Sequence, residues 1–94
     1  MNKRQLIAAC ALQALLAHAS PGYNRASLAK EATEFADAVV VVTGSGADPI
    51  TAREEIAAQA LQALILKDPF QQSSQRAIIA REAVDLADAV IALT

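Results

Sequence analysis

The sequence predicts an all-α fold, in which two tandem helix–turn–helix hairpins form a pseudo-two-fold four-helix bundle. Three observations support this fold class. Hydrophobic residues make up 54% of the 94 residues, and alanine, which has the highest helix propensity, accounts for 23 of them. The apolar residues recur at helical spacing. The same pattern occurs twice, which indicates an internal duplication.

The duplication is visible as two pairs of aligned blocks. Residues 4–15 align with residues 53–64 at an offset of 49, and residues 25–43 align with residues 76–94 at an offset of 51. The difference of two residues falls between the blocks, where loops tolerate insertions. We therefore expect a single domain that covers the chain from residue 1 to residue 94 and has three parts: repeat 1 (residues 4–43), a linker (residues 44–50) and repeat 2 (residues 51–94).

The first helix of each repeat is predicted from an apolar stripe at spacings of three and four residues. The stripe consists of Ile7, Ala8, Ala11, Leu12 and Leu15 in repeat 1, and of Ile56, Ala57, Ala60, Leu61 and Leu64 in repeat 2. Proline and glycine interrupt helices. Pro21 and Gly22 therefore mark the turn of the first hairpin, and Asp68 and Pro69 mark the turn of the second.

The second helix of each repeat carries a similar stripe. It consists of Leu28, Ala32, Phe35, Ala36 and Val39 in repeat 1, and of Ile79, Ala83, Leu86, Ala87 and Val90 in repeat 2. Residues 39–42 have the composition of a strand. Their counterparts, residues 90–93, continue the helical stripe, so we predict helix at both places.

The predicted helix starts follow from capping residues. Asn24 is a suitable N-cap for the second helix. Thr51 and Glu54 form a capping-box pattern, so the third helix should begin near Ala52. A hairpin of about 40 residues cannot bury its stripe alone, but two hairpins can bury theirs against each other.

Composition and charge exclude several classes of function. The net charge is −2, with acidic and basic residues interspersed. Nucleic-acid binding requires a basic patch, which is missing, so we predict no nucleic-acid partner. No segment approaches the roughly 20 apolar residues of a membrane span, so we predict no membrane partner. The single cysteine, Cys10, excludes an internal disulfide and fits a cytoplasmic protein.

The first 20 residues resemble a secretory signal peptide. Lys3 and Arg4 are followed by an apolar segment, and residues 17–19 read Ala-His-Ala, like a cleavage site. However, residues 53–66 repeat much of this segment inside the chain, where no signal peptide can lie. We therefore expect this segment to belong to the first helix of the domain and not to a signal peptide.

Two segments carry a resemblance to a known group of proteins. Residues 12–17 read Leu-Gln-Ala-Leu-Leu-Ala and precede a turn that contains proline, and residues 83–91 read Ala-Val-Asp-Leu-Ala-Asp-Ala-Val-Ile. They resemble small helical-hairpin proteins of tailed phages and prophages, in which a Met-Gln-Gly-Leu-Leu-Ala-Asn-Pro turn precedes an Ala-Val-x-x-Ala-Asp-Ala-Leu-Ile helix. This chain differs in carrying two copies and in its second turn. The resemblance implies a phage accessory protein and transfers no catalytic residue.

The side chains capable of chemistry all fit structural roles. Asp37 and Asp88 are identical between the repeats and could act in acid–base or metal chemistry, but they lie on the polar face opposite the stripe. His18 lies at the end of the first helix, where a cation favours the helix dipole. Cys10 has no adjacent base. We therefore predict no catalytic, cofactor-binding or metal-binding residue, and no enzymatic activity.

The outer face of the first helix is the candidate interface. It is nearly apolar and carries Leu6, Cys10, Gln13 and Ala17. In repeat 2, Glu55 and Gln59 replace Leu6 and Cys10. A helix that is apolar on both faces is normally buried on both, so we predict that this face meets another chain. The partner would be a second copy, with a two-fold dimer favoured, or a host protein. The alternative is that these small residues are simply exposed.

The sequence is compatible with two functions. The first is a phage-type accessory binding protein that inhibits a host factor or sequesters a small ligand in the host cytoplasm. The second is a structural or assembly protein whose role is self-association. A compact monomer that binds a host factor favours the first, and a stable oligomer favours the second.

Overall fold

A computed structural model describes residues 1–44, 46, 49–67 and 75–94. Its regular structure consists of four helices in the order α1 (Lys3–Ala17), α2 (Arg25–Thr43), α3 (Ala52–Lys67) and α4 (Arg76–Leu93). The helices pack as a four-helix bundle, in which α1 pairs with α2 and α3 pairs with α4. This confirms the predicted all-α fold. Residues 39–42 are helical, as the comparison of the repeats predicted.

Capping side chains determine where α2 and α3 begin. Asn24 precedes α2, and its Oδ1 accepts a hydrogen bond of 3.1 Å from the Ser27 N–H. Thr51 Oγ1 accepts from the Glu54 N–H at 3.1 Å, and Glu54 Oε1 accepts from the Thr51 N–H at 3.1 Å. This reciprocal pair is the predicted capping box. Accordingly, α3 begins at Ala52.

The ends of α1 and α2 follow the sequence in the same way. Residues 20–23 form a turn that contains Pro21 and Gly22 and is closed by a hydrogen bond of 3.1 Å between its first carbonyl and its last N–H. Gly44 ends α2 with φ of +60°, a left-handed conformation that glycine adopts without steric cost. The turn predicted at residues 68–69 lies outside the described residues.

The two hairpins, hairpin 1 (α1 and α2) and hairpin 2 (α3 and α4), lie side by side in the same orientation. Lys3 Nζ lies 3.0 Å from Glu54 Oε2 at the start of α1 and α3, and His18 Nε2 lies 2.9 Å from the Leu66 carbonyl oxygen at their ends. These two helices are therefore parallel. The same holds for α2 and α4, since Arg76 at the start of α4 contacts Glu31 in the first half of α2.

The core is built mainly from alanine, with a few larger side chains between the helices. Small residues allow helix axes to approach near the lower end of the usual ~8–10 Å range. The buried apolar residues are Ile7, Ala11 and Ala14 of α1, Ala32, Phe35, Ala36 and Val39 of α2, Ala57, Ala58, Leu61 and Ile65 of α3, and Ala80, Ala83, Val84 and Ala87 of α4.

Three positions of the predicted stripes are exposed, so the stripe prediction is wrong there. These positions are Leu12, Leu86 and Val90. Their counterparts in the other repeat are buried: Leu61, Phe35 and Val39. The physical reason is that each hairpin has a neighbour on one side only, and that the two hairpins use different sides. The bundle thus departs from strict two-fold symmetry, which would bury equivalent positions on both copies.

Candidate interaction surface

The four residues of the predicted interface differ in exposure. Gln13 and Ala17 are exposed, whereas Leu6 and Cys10 are half-buried. The predicted interface as a whole remains a prediction.

Leu6 and Cys10 line a groove between α1 and the start of α3. The groove has a volume of about 190 Å³, and its other lining residues are Ile50, Glu55, Ala58 and Gln59. Because both residues lie beside hairpin 2, their apolar character is accounted for in part by contacts within the chain. Burial also raises the pKa of the Cys10 thiol, so little thiolate is present at neutral pH.

A second groove lies on hairpin 1 and is open to solvent. Its volume is about 200 Å³, and it is lined by Leu12, Leu16, Tyr23, Arg25, Leu28 and Ala29. We call it the hairpin-1 groove. Tyr23 and Leu28 flank the Asn24 cap, so the start of α2 forms one wall and the last two turns of α1 form the other. The result is an apolar surface with one cationic side chain at its edge.

Hairpin 2 exposes an apolar strip on α4. Leu86 and Val90 lie one helical turn apart and are both more than 40% exposed. Glu82 lies one turn before Leu86 on the same side of the helix, Asp85 lies beside it toward the adjacent side, and both are exposed. We call these four residues the hairpin-2 face. It combines apolar side chains with two carboxylates, whereas the hairpin-1 groove combines apolar side chains with an arginine.

Each hairpin is closed by the same arginine–aspartate pair. Arg4 Nε and Nη2 donate to the two carboxylate oxygens of Asp37 at 2.6 and 3.0 Å. Arg53 binds Asp88 in the same way at 2.6 and 2.9 Å. Sequence reasoning placed both aspartates on a solvated face and missed these pairs. The signal was present, because all four residues are identical between the repeats.

We expect the free energy of unfolding to decrease as the pH falls below about 4. The hydrogen bond from Arg4 lowers the pKa of Asp37 below its ordinary value, and that from Arg53 does the same for Asp88. A carboxylate whose pKa is lowered on folding stabilises the fold above its ordinary pKa, and this contribution is lost as the pH falls through the lowered value. The effect should be small, since both side chains are about half exposed and screened by water.

Urea unfolding at about pH 7 and about pH 2 measures this effect. The double variant Asp37→Asn with Asp88→Asn serves as the comparison, because its side chains do not titrate. It should lose less stability between the two pH values than the unchanged chain. Equal losses for both proteins would show that the pairs do not contribute.

Glu54 lies at the junction of three helices and is fully buried. Its carboxylate receives Lys3 Nζ of α1 at 3.0 Å, Thr43 Oγ1 of α2 at 2.9 Å and Thr51 Oγ1 before α3 at 3.0 Å. A buried carboxylate requires such partners. The capping box predicted the contact with Thr51 but not the ion pair with Lys3. Gln5, the counterpart of Glu54 in repeat 1, lies exposed at the start of α1.

His18, the remaining candidate for catalysis or metal binding, makes structural contacts. His18 is the C-cap of α1, and its ring reaches the last turn of α3. Within residues 1–44, 46, 49–67 and 75–94, no cluster of three or more histidine, cysteine, aspartate or glutamate side chains is arranged to hold a metal ion.

No helix among the described residues combines the length and apolarity needed to cross a membrane. Comparison of the chain with protein-family models, with curated proteins and with solved structures found no match.

Proposed function

We propose that this chain is a non-enzymatic binding protein of the phage accessory type, which acts by occupying another protein through the hairpin-1 groove. The observation that carries the proposal is the exposure of Leu12 and Leu16 beside Tyr23 and Leu28, which together form a concave apolar surface. Exposed apolar surface of this kind marks interaction sites in soluble proteins. The resemblance of each repeat to phage and prophage proteins supports a host protein as the target.

The dimensions of the groove favour a macromolecular partner over a small ligand. Small-molecule sites are clefts of about 300–1,000 Å³ that enclose most of the ligand. The groove is smaller, at about 200 Å³, and open to solvent. A helix or loop of another protein could cover it without being enclosed. These dimensions disfavour the sequestration of a small ligand.

A photo-crosslinking experiment tests the proposal. The photoreactive amino acid benzoylphenylalanine replaces Leu16 in the groove or, as a control, Lys30, which is highly exposed on the polar side of α2. The full chain is expressed in bacterial cells and irradiated. We expect a protein adduct from position 16 and none from position 30. The absence of an adduct at position 16, or equal adducts at both positions, would contradict the proposal.

The alternative function is self-association, and one observation favours it specifically. Leu12 and Leu16 of α1 and Leu86 and Val90 of α4 are exposed, whereas their counterparts in the other repeat are buried within the chain. These counterparts are Leu61, Ile65, Phe35 and Val39. The mass of the position-16 adduct distinguishes the two functions, since a second copy doubles the mass of the chain.

A further inference from the structure

The contact between the two hairpins shows how one repeat covers another. Arg76 of hairpin 2 reaches across to α2, with its guanidinium 2.7 Å from Glu31 Oε2 and 2.7 Å from Glu34 Oε2. The same guanidinium lies over the ring of Phe35, 5.7 Å from the ring centroid. An arginine at the start of one hairpin thus binds two carboxylates and covers an apolar side chain on its neighbour.

Each charged residue around Arg76 has a charged counterpart in the other repeat. Arg25 corresponds to Arg76, and it lies at the edge of the hairpin-1 groove. Glu82 and Asp85 correspond to Glu31 and Glu34, and they lie on the hairpin-2 face. Arg25 therefore lies on the outer side of hairpin 1, and the two carboxylates lie on the outer side of hairpin 2. They cannot contact each other within one molecule.

The apolar residues that α3 buries in this contact also have exposed counterparts in α1. Leu12 is 38% exposed, whereas its counterpart Leu61 is fully buried. Leu16 is exposed, whereas its counterpart Ile65 is buried. Within each hairpin the two helices pack in the same way, since the arginine–aspartate pair occurs in both. The additional cover over α3 therefore comes from the neighbouring hairpin, and the groove is the place where α1 lacks such a neighbour.

We infer that a second copy of this chain covers both surfaces, with the hairpin-1 groove of one copy packing on the hairpin-2 face of the next. The inference shares with the proposed function that the hairpin-1 groove binds a protein and rests on it to that extent, but it names a second copy of the chain, the partner of the alternative function, in place of a host protein. The contact repeats the one between hairpins 1 and 2 and pairs Arg25 with Glu82 and Asp85 of the neighbouring copy. It differs from the two-fold contact predicted at Leu6, Cys10, Gln13 and Ala17, since it joins two different surfaces.

A contact of this kind has a defined consequence for assembly. Contacts between unlike surfaces leave one surface free at each end, so copies add in a row until a ring closes. The contact between copies is weaker than the internal one for two reasons. Ala52 and Gln5 occupy the positions of Lys3 and Glu54, so the buried ion pair is not repeated, and Leu86 replaces the larger Phe35. Association should therefore depend on concentration.

Sedimentation velocity of the full chain over a range of concentrations tests the inference. Leu12→Glu blocks the groove and leaves the hairpin-2 face intact, whereas Leu86→Glu does the reverse. Each variant alone should associate at least about tenfold more weakly than the unchanged chain, as the loss of a buried leucine implies. Gln13→Glu is the matched control, because it adds the same charge at a neighbouring exposed position of α1. Circular dichroism shows that each variant is folded.

Mixing the two blocked variants is the decisive experiment. Leu12→Glu retains the hairpin-2 face, and Leu86→Glu retains the hairpin-1 groove. The mixture should therefore form a one-to-one dimer that grows no further. A self-complementary two-fold contact cannot give this result. The inference is overturned if the unchanged chain is monomeric at every concentration, if the mixture stays monomeric, or if Gln13→Glu weakens association as much as Leu12→Glu.

The photo-crosslinking experiment separates this inference from the proposed function. A monomeric chain whose position-16 adduct contains a different protein would leave the proposed function standing and overturn the inference. An associating chain that forms no adduct at position 16 would overturn both.

Discussion

Leu61→Asp should unfold the chain, whereas Leu12→Asp should leave it folded. The two leucines occupy the same position in the two repeats, yet Leu61 is fully buried and Leu12 is partly exposed. A carboxylate at position 61 would lie in an apolar core without a partner, which costs several kcal/mol. Domains of this size have about 5–15 kcal/mol of stability in total, and an alanine-rich core belongs near the lower end. At position 12 water can solvate the new charge, so the change should cost about 1 kcal/mol or less.

Thermal melting followed by circular dichroism compares the two variants directly. Val39→Asp and Val90→Asp form a second matched pair, since Val39 is buried and Val90 is exposed. In both pairs the buried position should lose the cooperative transition, and the exposed position should keep it. Similar melting curves within each pair would mean that the two hairpins bury equivalent faces, contrary to the structure.

The helices and their starting points could be predicted because their signals are local. Thr51 and Glu54 are three residues apart, and so are Asn24 and Ser27, so each cap forms within a single turn of chain. Comparison with residues 90–93 of the second repeat identified residues 39–42 as helical, although their β-branched composition alone suggests a strand. Evidence of this kind depends on neighbours in sequence, which the sequence supplies.

The buried faces could be predicted only in part. Both repeats carry nearly the same apolar pattern, so the sequence assigns the same face to both. The side on which each hairpin finds its neighbour depends on the packing of two hairpins in space. Leu86 and Val90 retain the apolar character of Phe35 and Val39 although they are exposed in this chain. Because both repeats carry the same pattern, the sequence does not show which face of each hairpin packs against the other hairpin.

Ion pairs between residues far apart in the sequence could not be predicted from local patterns. Arg4 and Asp37 are 33 residues apart, and Lys3 and Glu54 are 51 apart. Because Arg4 and Asp37 recur as Arg53 and Asp88, the repeat contains enough information to suggest the first pair. The Lys3–Glu54 pair occurs once, since the contact between the hairpins is made once, and no internal copy could point to it.

Glu54→Ala should therefore be the most destabilising change among the charged residues. It would leave the ammonium group of Lys3, which is 5% exposed, without its carboxylate, and would remove an acceptor from Thr43 and Thr51. Removing one partner of a buried pair typically costs about 3–5 kcal/mol. Gln5→Ala is the matched control, because Gln5 is the counterpart of Glu54 and its exposed side chain accepts a hydrogen bond from the Asn2 N–H, worth about 1 kcal/mol.

A double substitution distinguishes the ion pair from simple packing. Replacing a buried ion pair by apolar residues of similar volume is often neutral or stabilising. Lys3→Met with Glu54→Met should consequently be less destabilised than the sum of the two single changes, because neither buried charge then remains after its oppositely charged partner is removed. Urea unfolding of the four proteins in this cycle gives the coupling free energy. If the double variant loses as much stability as the two single variants together, the charges at positions 3 and 54 do not stabilise each other.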